Sequence, residues 1–83
     1  MENIHKCTFA LRPLITEAEP NGIPLAENAI NELVATTPAP ERRDALESVR
    51  SAVQAHCDSA SGSQFDFATT VNDYIERLIK DLV

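Results

Sequence analysis

The chain has 83 residues, with 13 Asp and Glu against 7 Lys and Arg, a formal charge of -6, and 23 large apolar side chains to build a core. That describes one small helical domain over residues 1–83, near the lower limit of independent stability and too short for a two-domain enzyme. The charge disfavours nucleic acid and anionic lipid; no apolar run reaches the roughly 20 residues of a membrane span, and charges stand where a signal peptide would be apolar, so a cytoplasmic protein is expected.

Prolines and glycines at Glu19–Gly22, Thr37–Pro40 and Asp58–Ser63 divide the sequence into four stretches whose interiors are filled by helix formers. In the first, residues 3–18, Ile4, Cys7, Leu11, Leu14, Ile15 and Ala18 fall on one arc of roughly 100°, with Pro13 opposite. Proline there removes a backbone bond on the wet side, which predicts one helix kinked at Pro13.

The second helix is expected over 24–36, with Pro24 in its first turn and Leu25, Ala26, Ala29, Ile30, Leu33 and Val34 inward. Glu27, Asn28, Asn31 and Glu32 lie opposite. Thr37 then stands where it can cap a third helix over 38–57, in which Pro38 and Pro40 occupy a first turn. That helix buries Ala45, Leu46, Val49, Ala52, Val53 and Cys57. A mobile serine-rich loop is expected at 58–63.

The fourth helix, 66–82, has the clearest period: Phe67, Val71, Tyr74, Ile75, Leu78 and Leu82, with Asp66 or Ser63 as cap. Asp73 with Arg77, and Glu76 with Lys80, have the spacing of solvated ion pairs. The whole predicts an all-α four-helix bundle, open to completion by dimerisation.

Several constellations carry residue types capable of chemistry. His5/Cys7 and His56/Cys57 have zinc-ligand types but poor spacing, since neighbours on a helix point about 100° apart. Cys7 and Cys57 share apolar arcs, which fits buried thiols; a redox pair requires that the arcs bring them together. The second and third helices outline a helix-turn-helix with Arg42, Arg43 and Arg50 as conceivable DNA contacts, opposed by acidic flanks and by an Arg43–Glu47 pairing. No phosphate loop, zinc-protease helix, nucleophile elbow or calcium loop is present, so no enzyme, cofactor, metal or small-molecule substrate is implied.

Two features point to binding. Phe9 projects about 140° from Ile4, away from the core arc, where it either covers Pro13 or forms part of a second apolar surface that Ile79 and Val83 widen. Acidic rows at Glu17, Glu19, Glu27 and Glu32, or at Asp66, Asp73, Glu76 and Asp81, could imitate phosphates and block a basic groove, with Glu27 and Glu32 as the residues to test. The sequence is therefore read as a non-catalytic protein-interaction module, a homodimeric regulator or accessory subunit. The alternative is an acidic inhibitor of a nucleic-acid-binding partner, and a DNA-binding helix-turn-helix ranks below both.

Overall fold

The computed structural model describes residues 2–82, Glu2 by its backbone only. Four helices form the bundle: α1 (Glu2–Glu17), α2 (Gly22–Thr36), α3 (Arg42–Ser59) and α4 (Ser63–Asp81), with a short 3-10 turn at Ala39–Glu41 leading into α3. There is no strand among the described residues, and no helix among them is long and apolar enough to cross a membrane.

Two antiparallel hairpins make up the bundle. On α3 and α4, Arg50 meets Glu76 and Gln54 meets Asn72, so a rise of four on one helix matches a fall of four on the other. Cys7 lies against Ala29 and Leu14 against Gly22 in the same antiparallel sense on α1 and α2. All four helices then share one interior, whose largest sealed side chains are Leu11, Ile30, Leu46, Val49, Val53 and Ile75. Each such aliphatic side chain contributes about 1.5–3 kcal/mol when fully buried.

α1 passes through Pro13 as one continuous helix. Its flanking turns bury Leu11 and Ile15, so packing on the inner side holds a helix whose outer side lacks one amide hydrogen. The helix stops at Ala18, whose φ of +52° is left-handed while its N–H still reaches the Leu14 carbonyl at 2.9 Å.

α2 begins at Gly22, two residues ahead of the expected start, because the Glu19–Gly22 turn feeds straight into it through a 2.8 Å bond from the Gly22 N–H to the Glu19 carbonyl. Gly22 is buried there. The Phe67 ring lies 3.2 Å from where a Cβ would stand, so the absence of a side chain lets α4 approach.

Thr37 does not cap the following helix. It is buried and its hydroxyl donates to the Leu33 carbonyl at 2.6 Å, closing α2 instead. The expected loop at 58–63 is shorter than its composition implies, spanning only residues 60–62 between α3 and α4. Gln54 donates to Asp58, and the Ser59 hydroxyl turns back to the carbonyls of Ala55 and His56, so α3 carries on to Ser59. Gly62, at φ +62°, then turns the chain into α4, and neither Ser63 nor Asp66 supplies a side-chain cap.

Candidate interaction face on α1

The core arc of α1 points inward as its period requires, with Cys7, Leu11 and Ile15 buried and Ile4, Leu14 and Ala18 packed against them. Phe9 stands on the opposite side and is 73% exposed. Covering Pro13 therefore leaves most of its ring in water, and a side chain whose burial is worth about 1.5–3 kcal/mol forgoes most of that gain.

Phe9 has cations on both sides. Lys6, exposed, lies on the flank toward α2, where it lines the α1/α2 groove with Cys7 and Glu32. Arg12, also exposed, lies on the other flank. Neither forms an ion pair with another described side chain. No carboxylate occurs between residues 3 and 16.

Pro13 adds a polar feature. In a helix the carbonyl of Phe9 would accept the amide hydrogen of residue 13, and proline has none, so this outward carbonyl lacks its helical partner beside the exposed ring.

The other expected binding residues are scattered. Ile79 is 8% exposed and belongs to the interior, a correction to its place at the rim. Its flank of α4 faces α3, the same seam that holds Asn72 and Glu76 against Gln54 and Arg50. Val83 lies outside the described residues. Glu32 borders the α1/α2 groove, whereas Glu27, five residues earlier, is about 140° away around α2 and half-buried. The two acids do not form one row.

Sequence reasoning did not foresee three exposed apolar side chains, Leu25, Phe65 and Leu82. Leu25 and Leu82 lie on arcs expected to be inward. Leu25 sits at the α1-side rim of α2 beside Leu14, Glu17 and Glu19, and Leu82 immediately follows α4, where it borders Ala39, Arg42 and Arg43.

Two of the three arginines expected as DNA contacts, Arg42 and Arg50, serve the fold, and Arg43 is exposed. Arg42 Nε donates to the carbonyls of Val34 and Thr37, 3.0 Å from each, and Arg50 pairs with Glu76 at 3.2 Å. That is the one ion pair among the described residues; the expected pairs Asp73–Arg77, Glu76–Lys80 and Arg43–Glu47 are not formed.

Both cysteines are buried, free thiols. Burial, with a smaller push from the Glu32 charge, raises the Cys7 thiol from 9.0 to about 11, the opposite of what activates a nucleophile. Its Sγ rests 3.7 Å from the Ala29 carbonyl. Among the described residues no group of three or more His, Cys, Asp and Glu is placed to hold a metal ion.

A groove of about 550 Å³ opens between the amino-terminal turns of α1 and α3, lined by Ile4, His5, Pro38, Glu41, Asp44 and Ala45 among others. It places His5 near two acids without joining it to them. Comparison of the chain with protein-family models, with curated proteins and with solved structures returns no match.

Proposed function

We propose that this chain is a small, non-catalytic protein-interaction module of the cytoplasm, an accessory subunit or regulator that engages its partner through the outward face of α1. The observation that carries the reading is Phe9, 73% exposed between Lys6 and Arg12. Aromatic and arginine side chains dominate binding energy when a partner desolvates them.

A homodimer is the second form of this reading, favoured by the apolar side chains left exposed elsewhere, Leu25, Phe65 and Leu82. It predicts a species larger than the 9.1 kDa chain in sedimentation at micromolar concentration. The acidic-inhibitor reading is weaker, because Glu27 and Glu32 lie on different sides of α2.

The experiment is a pull-down from the native host with wild-type protein, Phe9→Ala, and a Glu27→Gln/Glu32→Gln double variant. The expected result is that Phe9→Ala melts like wild type and loses the captured protein, while the double variant keeps it. Loss with the glutamines alone would replace this reading with the acidic inhibitor.

A further inference from the structure

We infer that the occupant of the α1 face is an acidic, amphipathic segment of a different protein: apolar side chains to cover Phe9, carboxylates to meet Lys6 and Arg12, and a hydrogen-bond donor for the Phe9 carbonyl. The inference rests on the interaction reading above and names the chemistry of the partner.

Charge is the first argument. All 13 acids of the chain lie outside residues 3–16, and that segment holds Lys6 and Arg12. The middle of the outward face of α1, between Glu2 and Glu17 at its two ends, is thus basic on an acidic molecule, with Glu32 of α2 the acid that borders it on the Lys6 side. It carries an exposed aromatic ring at its centre, and neither cation is paired with another described side chain. A surface of opposite sign with an apolar centre complements it.

Symmetry is the second argument, and it excludes the nearest competitor, a second copy of this chain. If two α1 helices met antiparallel about Phe9, Lys6 of one would stand opposite Arg12 of the other, each three residues from the centre. A parallel two-fold contact would set Lys6 against Lys6 and Arg12 against Arg12. Both arrangements oppose like charges across the ring. Placing the basic face of one copy on an acidic face of another would satisfy charge, but such a contact is heterologous and propagates instead of closing.

Nucleic acid is the remaining polyanion. It presents one charge per roughly 1.7 Å of duplex to a molecule that is net negative, so two cations cannot offset the repulsion of the rest of the surface. A protein segment with two carboxylates set in apolar surroundings brings only the charges the face can use. Lys6 and Arg12 are separated by about 9 Å of helix rise, close to the about 10.5 Å between glutamates one heptad apart on a partner helix.

The test titrates the full chain, labelled with nitrogen-15, with a short helical peptide bearing two leucines between glutamates one heptad apart. Its counterpart with lysine for glutamate serves as control, and a thymidine oligonucleotide as the nucleic-acid probe. The expected result is amide shifts confined to the outer face of α1 with the glutamate peptide. Phe9→Ala should weaken this binding about tenfold or more, and Lys6→Glu/Arg12→Glu should transfer the preference to the lysine peptide. Equal binding of both peptides, binding of the oligonucleotide instead, or no shifts at millimolar glutamate peptide would overturn the acidic partner. So would shifts of the same residues that depend on the concentration of the chain alone. The parent reading fails separately, if Phe9→Ala leaves capture of the native partner unchanged.

Discussion

Arg42, in the first turn of α3, reaches back to the end of α2 and donates its Nε hydrogen to the Val34 carbonyl at 3.0 Å. The same group lies 3.0 Å from the Thr37 carbonyl, so one side chain bridges two carbonyls at the end of α2, of which Val34's also accepts the Thr37 N–H at 3.4 Å. Charged donors to such carbonyls contribute about 1.5–3 kcal/mol. Arg42 is half-buried, which keeps the contact from being wholly screened. Arg42→Ala is expected to lower the thermal midpoint by several degrees, about 4–8 °C per kcal/mol in a chain of this size. Arg42→Lys should recover little, because a flexible ammonium does not hold a planar N–H between two carbonyls.

At the far end of α1, Ala18 occupies the left-handed region at φ +52°. A Cβ in that conformation costs about 1–2 kcal/mol, and glycine avoids it. Ala18 also packs its methyl against the core, so part of the gain is returned. Ala18→Gly is therefore expected to stabilise the protein by about 0.5–1 kcal/mol, read as a higher urea midpoint with an unchanged slope. A lower midpoint would mean that the methyl contact outweighs the backbone strain.

Much of the helical architecture was legible because it depends on a period. Cys7, Leu11 and Ile15 on α1, Ala26, Ile30 and Leu33 on α2, Leu46, Val49 and Val53 on α3, and Phe67, Val71 and Ile75 on α4 recur at three and four and meet in one interior. What a period cannot supply is the neighbour on each flank. Ile79, at the edge of the α4 arc, is buried because α3 covers that side, while Leu25, at one end of the α2 arc, is exposed at the α1 rim. Helix ends were less legible still. Thr37 has the chemistry of a cap for the next helix, yet it bonds back to Leu33; α4 starts from the backbone of Gly62, not from Ser63 or Asp66. Of the candidate face, Phe9 was visible as an outlier in the wheel. The separation of Glu27 from Glu32 follows from their spacing of five and was obscured by reading acids as a class.

Asn72 gave no sequence signal, since a polar residue beside the α4 arc reads as surface. It is 7% exposed, its Nδ2 donates to Gln54 Oε1 at 3.2 Å, and its Oδ1 is buried without a partner. An unmet buried acceptor costs about 1–3 kcal/mol. Asn72→Leu removes it and leaves Gln54, which is exposed, to water; the expected outcome is a gain of about 1 kcal/mol in chemical denaturation. Gln54→Ala should act in the opposite direction, because it strands the Asn72 amide nitrogen as well. Equal destabilisation by both would mean that the pair fixes the α3/α4 seam and outweighs the orphaned oxygen.

Cys7 supplies a prediction in pH. Its thiol is raised from 9.0 to about 11 in the folded protein, mainly by burial and secondarily by Glu32. Between those two values the unfolded chain has lost the proton and the folded chain keeps it, so the unfolded state binds fewer protons and stability falls as pH rises. The contribution is whole below pH 9 and is lost progressively up to about 11. The informative quantity is the difference between wild type and Cys7→Ala. Wild type should lose more of its thermal midpoint from pH 8.5 to 10.5 than the variant does, although the variant is less stable at pH 7 for want of the buried sulfur. The same protonation predicts slow alkylation of Cys7 at pH 8, since only the thiolate reacts. A Cys7→Ala profile parallel to that of wild type, together with rapid labelling of Cys7, would show the thiol to be open to water and the α1/α2 groove to admit reagents.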